Sequence, residues 1–419
     1  MNDAPALNIC IGAETGAAPG FLNLGWGADA DVPFCPTDGF SWPDRVVHTI
    51  VCGKSVTELP VTTFVRLLLE CRRVLRPGGS IRFAASVPTE LPRFAALAGL
   101  EATERALEFT KRDRRVTGDP LVSILIPAYS PRFFAACLDS ALAQTYDQVE
   151  IVVCDDSPDD AIERIVRDRA ARRPIRYVRN PVRLGVRANY RQCFELARGE
   201  FIKFLCDDDL LAPTCVAALL DAFREAPDIT LATSHRKRID AFGNRLPEQP
   251  ATMPIVDADA VIAGCTLANA MLMAGLNVVG EPSTTLFRKA DLLDQAPDYF
   301  RFNGEAGHGV IDMVTWSALL LKGDAVYVRE SLSSFRIHPG QRQHDPAKAR
   351  RNIESIRGLQ SAWLALGLHE RIPRDQLLAK PFPPPDGREW QARTVRSLPQ
   401  PQFVGAEWKF ALNVSAGWR

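Results

Sequence analysis

Net charge is missing from this sequence. Its 419 residues carry 50 Lys plus Arg against 50 Asp plus Glu, so no overall field draws in a polyanion or a membrane surface. That balance removes the usual argument for nucleic acid as a partner, and none is expected. Paired cysteines are missing too. The ten cysteines are scattered singly, with no CxxC and no Cys/His metal spacing, and read as small core hydrophobes in a reducing, cytoplasmic compartment. The start, MNDAPALNIC, has an acidic third residue and no basic segment, unlike a secretory signal. One uncharged stretch, residues 260–280, is long enough to cross a bilayer. It carries Asn269 and Asn277 and lacks basic flanks, so it reads as a buried helix and no transmembrane segment is expected. No repeat period is visible.

What remains is ordinary globular chain, 46% hydrophobic and 24% charged, long enough for two or three domains. Residues 1–100 show short alternating β/α segments, with apolar runs at Leu7–Ile11 and Val46–Val51, a helical pattern over Thr63–Val74 and a turn at Arg76–Gly79. A strand is expected over Ser80–Val87. Residues 101–119 are charged and helix-like and read as a linker helix, closed by Gly118-Asp119-Pro120. From 120 to 345 the pattern changes. Leu121–Ile126, Val149–Val153, Ile175–Val178 and Phe201–Leu205 are strand-length apolar runs separated by helical periodicity, which predicts a doubly wound, mostly parallel α/β sheet. Residues 346–419 form a helical, Pro-rich extension, with seven prolines beyond His369, and with Trp390, Trp408 and Trp418 arguing for some packing.

In an open parallel sheet, ligands bind beyond the carboxyl ends of the strands. Ala128, Tyr129 and Ser130 follow the first run, Asp155 and Asp156 the second, and Cys206-Asp207-Asp208-Asp209 the last. Capping and turn formation account for a lone Asp pair or a turn tyrosine as well as ligand binding does. Three adjacent carboxylates after a buried strand repel one another unless a cation or hydrogen-bond donors compensate, and a hard divalent cation is the natural compensator.

These residues carry a resemblance. LVSILIPAYS, VEIVVCDDSPDD, RYVRNPVRLGVRANYRQCFELARGEFIKFLCDDDLLAP, GEPSTTLFRKADLL and ESLSSFRIHPGQ, in that order and spacing over residues 121–341, resemble a family 2 glycosyltransferase with the GT-A fold. The resemblance implies an inverting, metal-dependent enzyme that moves a sugar from a UDP- or dTDP-sugar to a hydroxyl of a glycan or lipid-linked acceptor. Polysaccharide or cell-envelope synthesis, with peripheral membrane contact, is implied as its setting. Nucleotide binding is expected at Ala128, Tyr129, Asp155, Asp156, Arg187 and Asp207, with Arg183 nearby. Mg²⁺ or Mn²⁺ is expected at Asp208, Asp209 and His338, the last from the element Arg336-Ile-His338. The first position of the family's DXD motif reads Cys206, which leaves open which carboxylate holds the metal. Asp312 is the implied general base, with Glu305 as the alternative, and Glu281, Pro282 and Ser283 line the sugar and acceptor.

Residues 1–100 resemble a truncated class I S-adenosylmethionine-dependent methyltransferase, through Leu7–Gly12, Pro19–Asn23 and Glu70–Gly79. The first glycine of that pattern reads Cys10 and the expected ribose acid reads Gly25, so a degenerate Rossmann-like domain is expected. Two rival readings stay open: a bifunctional methyltransferase–glycosyltransferase, and an inactive nucleotide-binding scaffold.

Overall fold

In the computed structural model, the described residues are 7–12, 20–25, 32–33, 44–84, 89–170, 173–341, 346–371, 376–383, 391–394, 402–404 and 407–409. The chain divides into two compact units, Met1–Arg115 with Trp363–Arg371 and Val116–Ala362 with Ile372–Arg419.

The first unit is built on seven strands: β1 (Leu7–Ile11), β2 (Leu22–Gly25), β3 (Val32–Pro33), β4 (Val47–Cys52), β5 (Leu75–Phe83), β6 (Glu101–Ala102) and β7 (Glu108–Thr110). Their order is β3-β2-β1-β4-β5-β7-β6. The first five pair in parallel, and β7 is antiparallel to both β5 and β6. Helix α1 (Lys54–Thr57) is a single turn, α2 (Val61–Val74) turns Phe64, Leu67, Leu68 and Cys71 inward, and α3 is Leu91–Leu97.

The expected linker helix is therefore corrected: residues 101–102 and 108–110 are strands. Leu107 has φ 61°, which breaks any helix there, while Phe109 is buried edge-on to Phe83 at 6.3 Å. The expected turn at Arg76–Gly79 is a bulge inside β5, since Val47 pairs with Leu75 but Thr49 already pairs with Ser80. Gly79 is required there because a Cβ would stand 2.9 Å from the carbonyls of Arg76 and His48. Pro19 and residues 85–87 lie outside the described residues.

The second unit holds a mixed sheet whose order is β10-β9-β8-β11-β16-β13-β17-β15-β18-β19. Here β8 is Val122–Ala128, β9 Val149–Asp155, β10 Ile175–Arg179, β11 Phe201–Phe204, β12 Leu210–Leu211, β13 Ile229–Ile239, β14 Arg245–Leu246, β15 Ala260–Ile262, β16 Thr285–Arg288, β17 Asp324–Arg336, β18 Gln376–Pro381 and β19 Gln391–Thr394. The longest ladders, β8 with β9 and β13 with β17, are parallel, as the sequence pattern predicts. Strands β8, β9 and β11 are almost wholly buried, which is why they read as continuous apolar runs. The helices are α4 (Pro131–Leu142), α5 (Ala161–Arg169), α6 (Val186–Leu196), α7 (Cys215–Glu225), α8 (Gly264–Ala274), α9 (Ile311–Lys322) and α10 (Pro346–Leu364). Helix α4 starts with Pro131 behind Ser130, whose hydroxyl accepts from the Arg132 N–H, a favoured start for a helix.

The uncharged stretch 260–280 is strand β15 followed by the buried α8, and among the described residues no helix is long and apolar enough to cross a membrane. The Pro-rich extension is corrected in part: Gln376–Pro381 adds a strand antiparallel to β15. Trp390 and Trp418 lie outside the described residues. Chain order reverses at β8, which has β9 on one side and β11 on the other. That reversal opens a crevice at the carboxyl ends of these strands.

Candidate functional site

Three turns meet at this crevice. After β8 the backbone N–H groups of Tyr129 and Ser130 both donate to Oδ2 of Asp207, at 2.7 and 2.8 Å. The acidic turn after β11 is thereby tied to the start of α4. Burial pushes the Asp207 carboxyl up to about 6, and the charge of Asp208 adds to the shift.

The three adjacent carboxylates take three different jobs. Asp208 meets the late R-x-H element: its Oδ2 is 3.1 Å from His338 Nε2 and accepts from Gln341 Nε2 at 3.4 Å. The imidazole lies 4.8 Å from the ring of Phe133. Asp209 turns inward and is 1% exposed. Its oxygens accept from the Ser283 hydroxyl at 2.6 Å and the Arg336 N–H at 3.0 Å. Burial, then Asp208, raises its pKa. Asp209 is thus corrected from metal ligand to buried acceptor, since it presents no free face to the crevice. Cys206 points its thiol at the Tyr190 hydroxyl, 3.5 Å away, and burial raises that thiol's pKa, which disfavours the thiolate a metal needs.

The charge of the metal expected from the resemblance has to be met by this donor set. Among the described residues no group of three or more His, Cys, Asp or Glu side chains is gathered as a metal cage. One carboxylate facing one imidazole fits a Mg²⁺ or Mn²⁺ that takes its other ligands from a diphosphate and water. The Nδ1 atom of His338 is buried without a partner, so Nε2 is the nitrogen presented to Asp208.

On the β9 side, Asp155 and Asp156 are buried organisers. Asp155 accepts from the Tyr177 hydroxyl at 2.7 Å and the Ser157 N–H at 2.8 Å. Asp156 accepts from the N–H groups of Leu184 and Gly185, at 2.7 and 2.8 Å, and from Asn180 Nδ2 at 3.1 Å. These bonds fold the 180–185 loop over the end of β9. The result is a cavity of about 550 Å³ lined by Tyr129, Asp156, Ser157, Pro158, Arg179, Asn180, Pro181 and Arg183. The Arg183 guanidinium stacks 4.3 Å from the Tyr129 ring, a cation–π contact.

Ala128, expected to line this pocket, is buried and offers only its carbonyl, which accepts the Asp156 N–H. Arg187 is also corrected. Its guanidinium binds the Asp298 carboxylate and the carbonyls of Tyr299 and Ala306, so three of its five N–H donors are committed to the 298–306 loop. Sequence reasoning named Arg183 without committing to it and missed Asn180 and Pro158. The signal available was the run Arg179-Asn-Pro-Val-Arg-Leu-Gly185, an Asn-Pro and Gly-bounded loop of turn residues.

The third group lies across the β11 end. Ser283 bridges the Cys206 N–H, at 3.0 Å, and Asp209, and the buried Lys203 ammonium donates to its carbonyl at 2.5 Å. Ser283 is therefore a strut of the acidic turn and is corrected from a sugar-lining role. Glu281 pairs with the buried Arg236 at 2.5 Å. Pro282 and Asp312 line a small cavity of about 10 Å³ with Tyr190, Phe204, Phe300 and Trp316.

Asp312 sits in the first turn of α9, its Oδ1 accepting from the Met313 N–H at 2.8 Å and its Oδ2 from Asn277 Nδ2 at 2.7 Å. Burial pushes its carboxyl up to about 6, and Glu281 adds to the rise. That value suits a general base working near neutral pH. Glu305 lies instead against α10, so close to Gly358 that a Cβ there would fall 2.8 Å from its Oε2.

Residues 123–290 match the family model described as Glycosyl transferase family 2. Chondroitin synthase of Escherichia coli is 35% identical over 127 residues, which is 30% of this chain and 18% of that protein. An uncharacterized Mycobacterium tuberculosis protein, MT1568, is 29% identical over 242 residues, covering 56% of this chain and 72% of that one. Among solved structures, S. aureus TarS 1-349 in complex with UDP-GlcNAc aligns with a TM-score of 0.46 at 17% identity, over 61% of this chain and 68% of that one. This chain spans about a fifth of the E. coli synthase.

Proposed function

We propose that this chain, a family 2 glycosyltransferase by its 123–290 domain, moves a sugar from a nucleoside diphosphate sugar to a hydroxyl acceptor with inversion at the anomeric carbon. One observation carries the reading. Asp207 ties the Tyr129 turn of the 550 Å³ cavity to the acidic turn in which Asp208 faces His338, which supports reading the cavity as the nucleoside pocket and the acidic turn as the diphosphate side.

In this reading the base of a UDP or dTDP donor stacks on Tyr129 beside Arg183, and the ribose lies toward Asp156 and Ser157. Asp208 and His338 would hold Mg²⁺ or Mn²⁺, which offsets the charge that grows on the departing diphosphate. The chain's own residues do the rest. Asp312 takes the proton from the acceptor hydroxyl as that oxygen bonds to the anomeric carbon. The bond from that carbon to the diphosphate oxygen breaks on the opposite face, and its electron pair leaves with the nucleoside diphosphate. Glu281, beside Pro282 and near Asp312, faces the acceptor side. The acceptor is a glycan or lipid-linked hydroxyl in polysaccharide synthesis, and the setting is cytoplasmic with peripheral membrane contact.

A second reading concerns the first unit. Its strand order, β3-β2-β1-β4-β5-β7-β6 with β7 antiparallel, reverses at β1 and offers a switch point of the kind that takes nucleotide cofactors. This favours a methyltransferase-like unit that binds S-adenosylmethionine.

Calorimetric titration of UDP, dTDP, GDP and S-adenosylmethionine, with and without Mn²⁺, tests both. Mn²⁺-dependent binding of one nucleoside diphosphate is the expected result, and failure of all three sinks the transferase reading. Binding without release of nucleoside diphosphate from any donor sugar would make the domain a scaffold. Heat on adding S-adenosylmethionine would establish the second reading.

A further inference from the structure

The turn at Asn277–Gly280 is gripped by α9 at two points. Asp312 and Trp316 stand one helical turn apart, on one face of α9. Asn277 Nδ2 donates to Asp312 Oδ2 at 2.7 Å, and the Trp316 indole N–H donates to the Gly280 carbonyl at 2.9 Å. The turn also closes on itself. Asn277 Nδ2 donates to the Gly280 carbonyl at 2.9 Å, while Asn277 Oδ1 accepts the Gly280 N–H at 3.0 Å. These bonds decide the amide orientation. A flipped amide would aim oxygen at both the carboxylate and the Gly280 carbonyl.

Gly280 has φ 119°, and a Cβ there would fall 2.4 Å from the Thr284 hydroxyl, so the closed turn is built for glycine. Behind it, the buried Arg236 donates to the Asn277 carbonyl at 3.2 Å and pairs with Glu281.

We propose that Asn277 is a positioning residue for Asp312, holding in one orientation the carboxylate that lines the small cavity with Tyr190 and Trp316. The inference rests on the reading of Asp312 as general base. Met313 N–H anchors Oδ1 and Asn277 anchors Oδ2, with the Asp312 backbone N–H as a further donor, so rotation about the last side-chain bond is fixed while the carboxylate keeps a lone pair for an acceptor proton. Glu281, from the adjoining turn, opposes ionisation, and Arg236 sits behind Glu281 as its partner. From α6 the buried Tyr190 hydroxyl interacts with Asp312. Asn277 is thus the side-chain donor that offsets Glu281.

Two substitutions test this. Asn277→Ser shortens the donor, and Asn277→Asp replaces it with a second carboxylate. Both should move the Asp312 titration upward, by about one pH unit for Ser and more for Asp. The readout is the protonated-carboxyl infrared band followed against pH in the full-length protein, with Asp312→Asn identifying the band. The acid limb of nucleoside diphosphate release from UDP-GlcNAc or another accepted donor should move by the same amount. A merely structural Asn277 would lower release equally at every pH and leave the band midpoint in place, and that result overturns the proposal. Should Asn277→Asp not fold, Asn277→Ser alone decides by the same midpoint. If Asp312→Asn keeps full turnover, the general-base reading falls instead, whatever Asn277 does to the infrared titration.

Discussion

Nε2 of His338 lies 3.1 Å from Oδ2 of Asp208, across 130 residues of sequence. Arg336, two residues earlier, makes the meeting possible. It donates from Nε to the Asp208 carbonyl at 2.8 Å and from its backbone N–H to Asp209, while its guanidinium lies 4.6 Å from the Phe133 ring. The R-x-H element therefore does two things from one strand end. Arg336 fixes the acidic turn, and His338 presents a nitrogen to Asp208, a half-buried carboxylate of that turn.

Asp208→Asn and His338→Ala should each weaken Mn²⁺-dependent nucleotide binding at least tenfold, since each removes half of a two-residue donor set. Asp208→Asn, which keeps the side-chain shape, should leave the melting temperature within about 2 °C of the parent, while His338→Ala, which removes a buried ring packed on Phe133, should lower it by about 2–5 °C. Calorimetry and thermal melts check both halves. A variant that unfolds would make the pair a structural bridge.

Asp209→Ala should behave in the opposite way. Its carboxylate is the acceptor for Ser283 and Arg336 in a buried turn, and stranding two buried donors costs about 2–4 kcal/mol. For a unit of this size that corresponds to a fall of roughly 5–10 °C in melting temperature. Scanning calorimetry of the two alanine variants, Asp208→Ala and Asp209→Ala, would show the contrast directly. Equal stabilities would refute the division of labour.

Asp207 makes the metal-free protein sensitive to pH. An unfolded aspartate titrates near about 3.9, while burial and Asp208 push the folded carboxyl up to about 6. The folded state therefore holds its proton longer than the unfolded one. The stability this confers is full below about pH 4 and is lost as pH rises through about 6, an effect on the order of 1–3 kcal/mol. Asp207→Asn, which keeps an oxygen for Tyr129 and Ser130, should flatten that part of the stability–pH curve in urea titrations without Mn²⁺. An unchanged slope would assign the pH dependence elsewhere.

The strands were legible because β8, β9 and β11 are buried on both faces and leave continuous apolar runs. The carboxylates beyond them were legible as a cluster for the same reason. Which of them faces outward was not. Asp207, Asp208 and Asp209 are sequence neighbours, yet their directions are set by Tyr129, His338 and Ser283, each more than 70 residues away. For Asp155 and Asp156, nothing local shows that Tyr177, Leu184 and Gly185 also lean on these carboxylates and so shape the cavity that Asp156 lines. The segment 101–119 looked helical by charge and propensity. Pairing of Glu108–Thr110 with β5 overrode that preference, as tertiary context often does.

Arg183, in the 180–185 loop, and Arg187, in the first turn of α6, should separate binding from turnover. Arg183 lies over Tyr129 at the cavity, with its guanidinium 4.3 Å from the ring. Arg183→Ala should weaken nucleoside diphosphate binding about three- to thirtyfold, as loss of a partly desolvated cation–π and charge contact implies. Its effect should shrink as salt rises, because the contact is half open to water. Arg187 grips Asp298 and the Tyr299 and Ala306 carbonyls, on the loop that runs into α9 and Asp312. Arg187→Ala should leave nucleotide affinity within about twofold and lower kcat, because it frees the approach to the base and leaves the nucleoside pocket intact. Calorimetric Kd values set beside kcat for donor turnover distinguish the two. If Arg187→Ala instead lost nucleotide affinity while Arg183→Ala kept it, the pocket would have to be redrawn around α6.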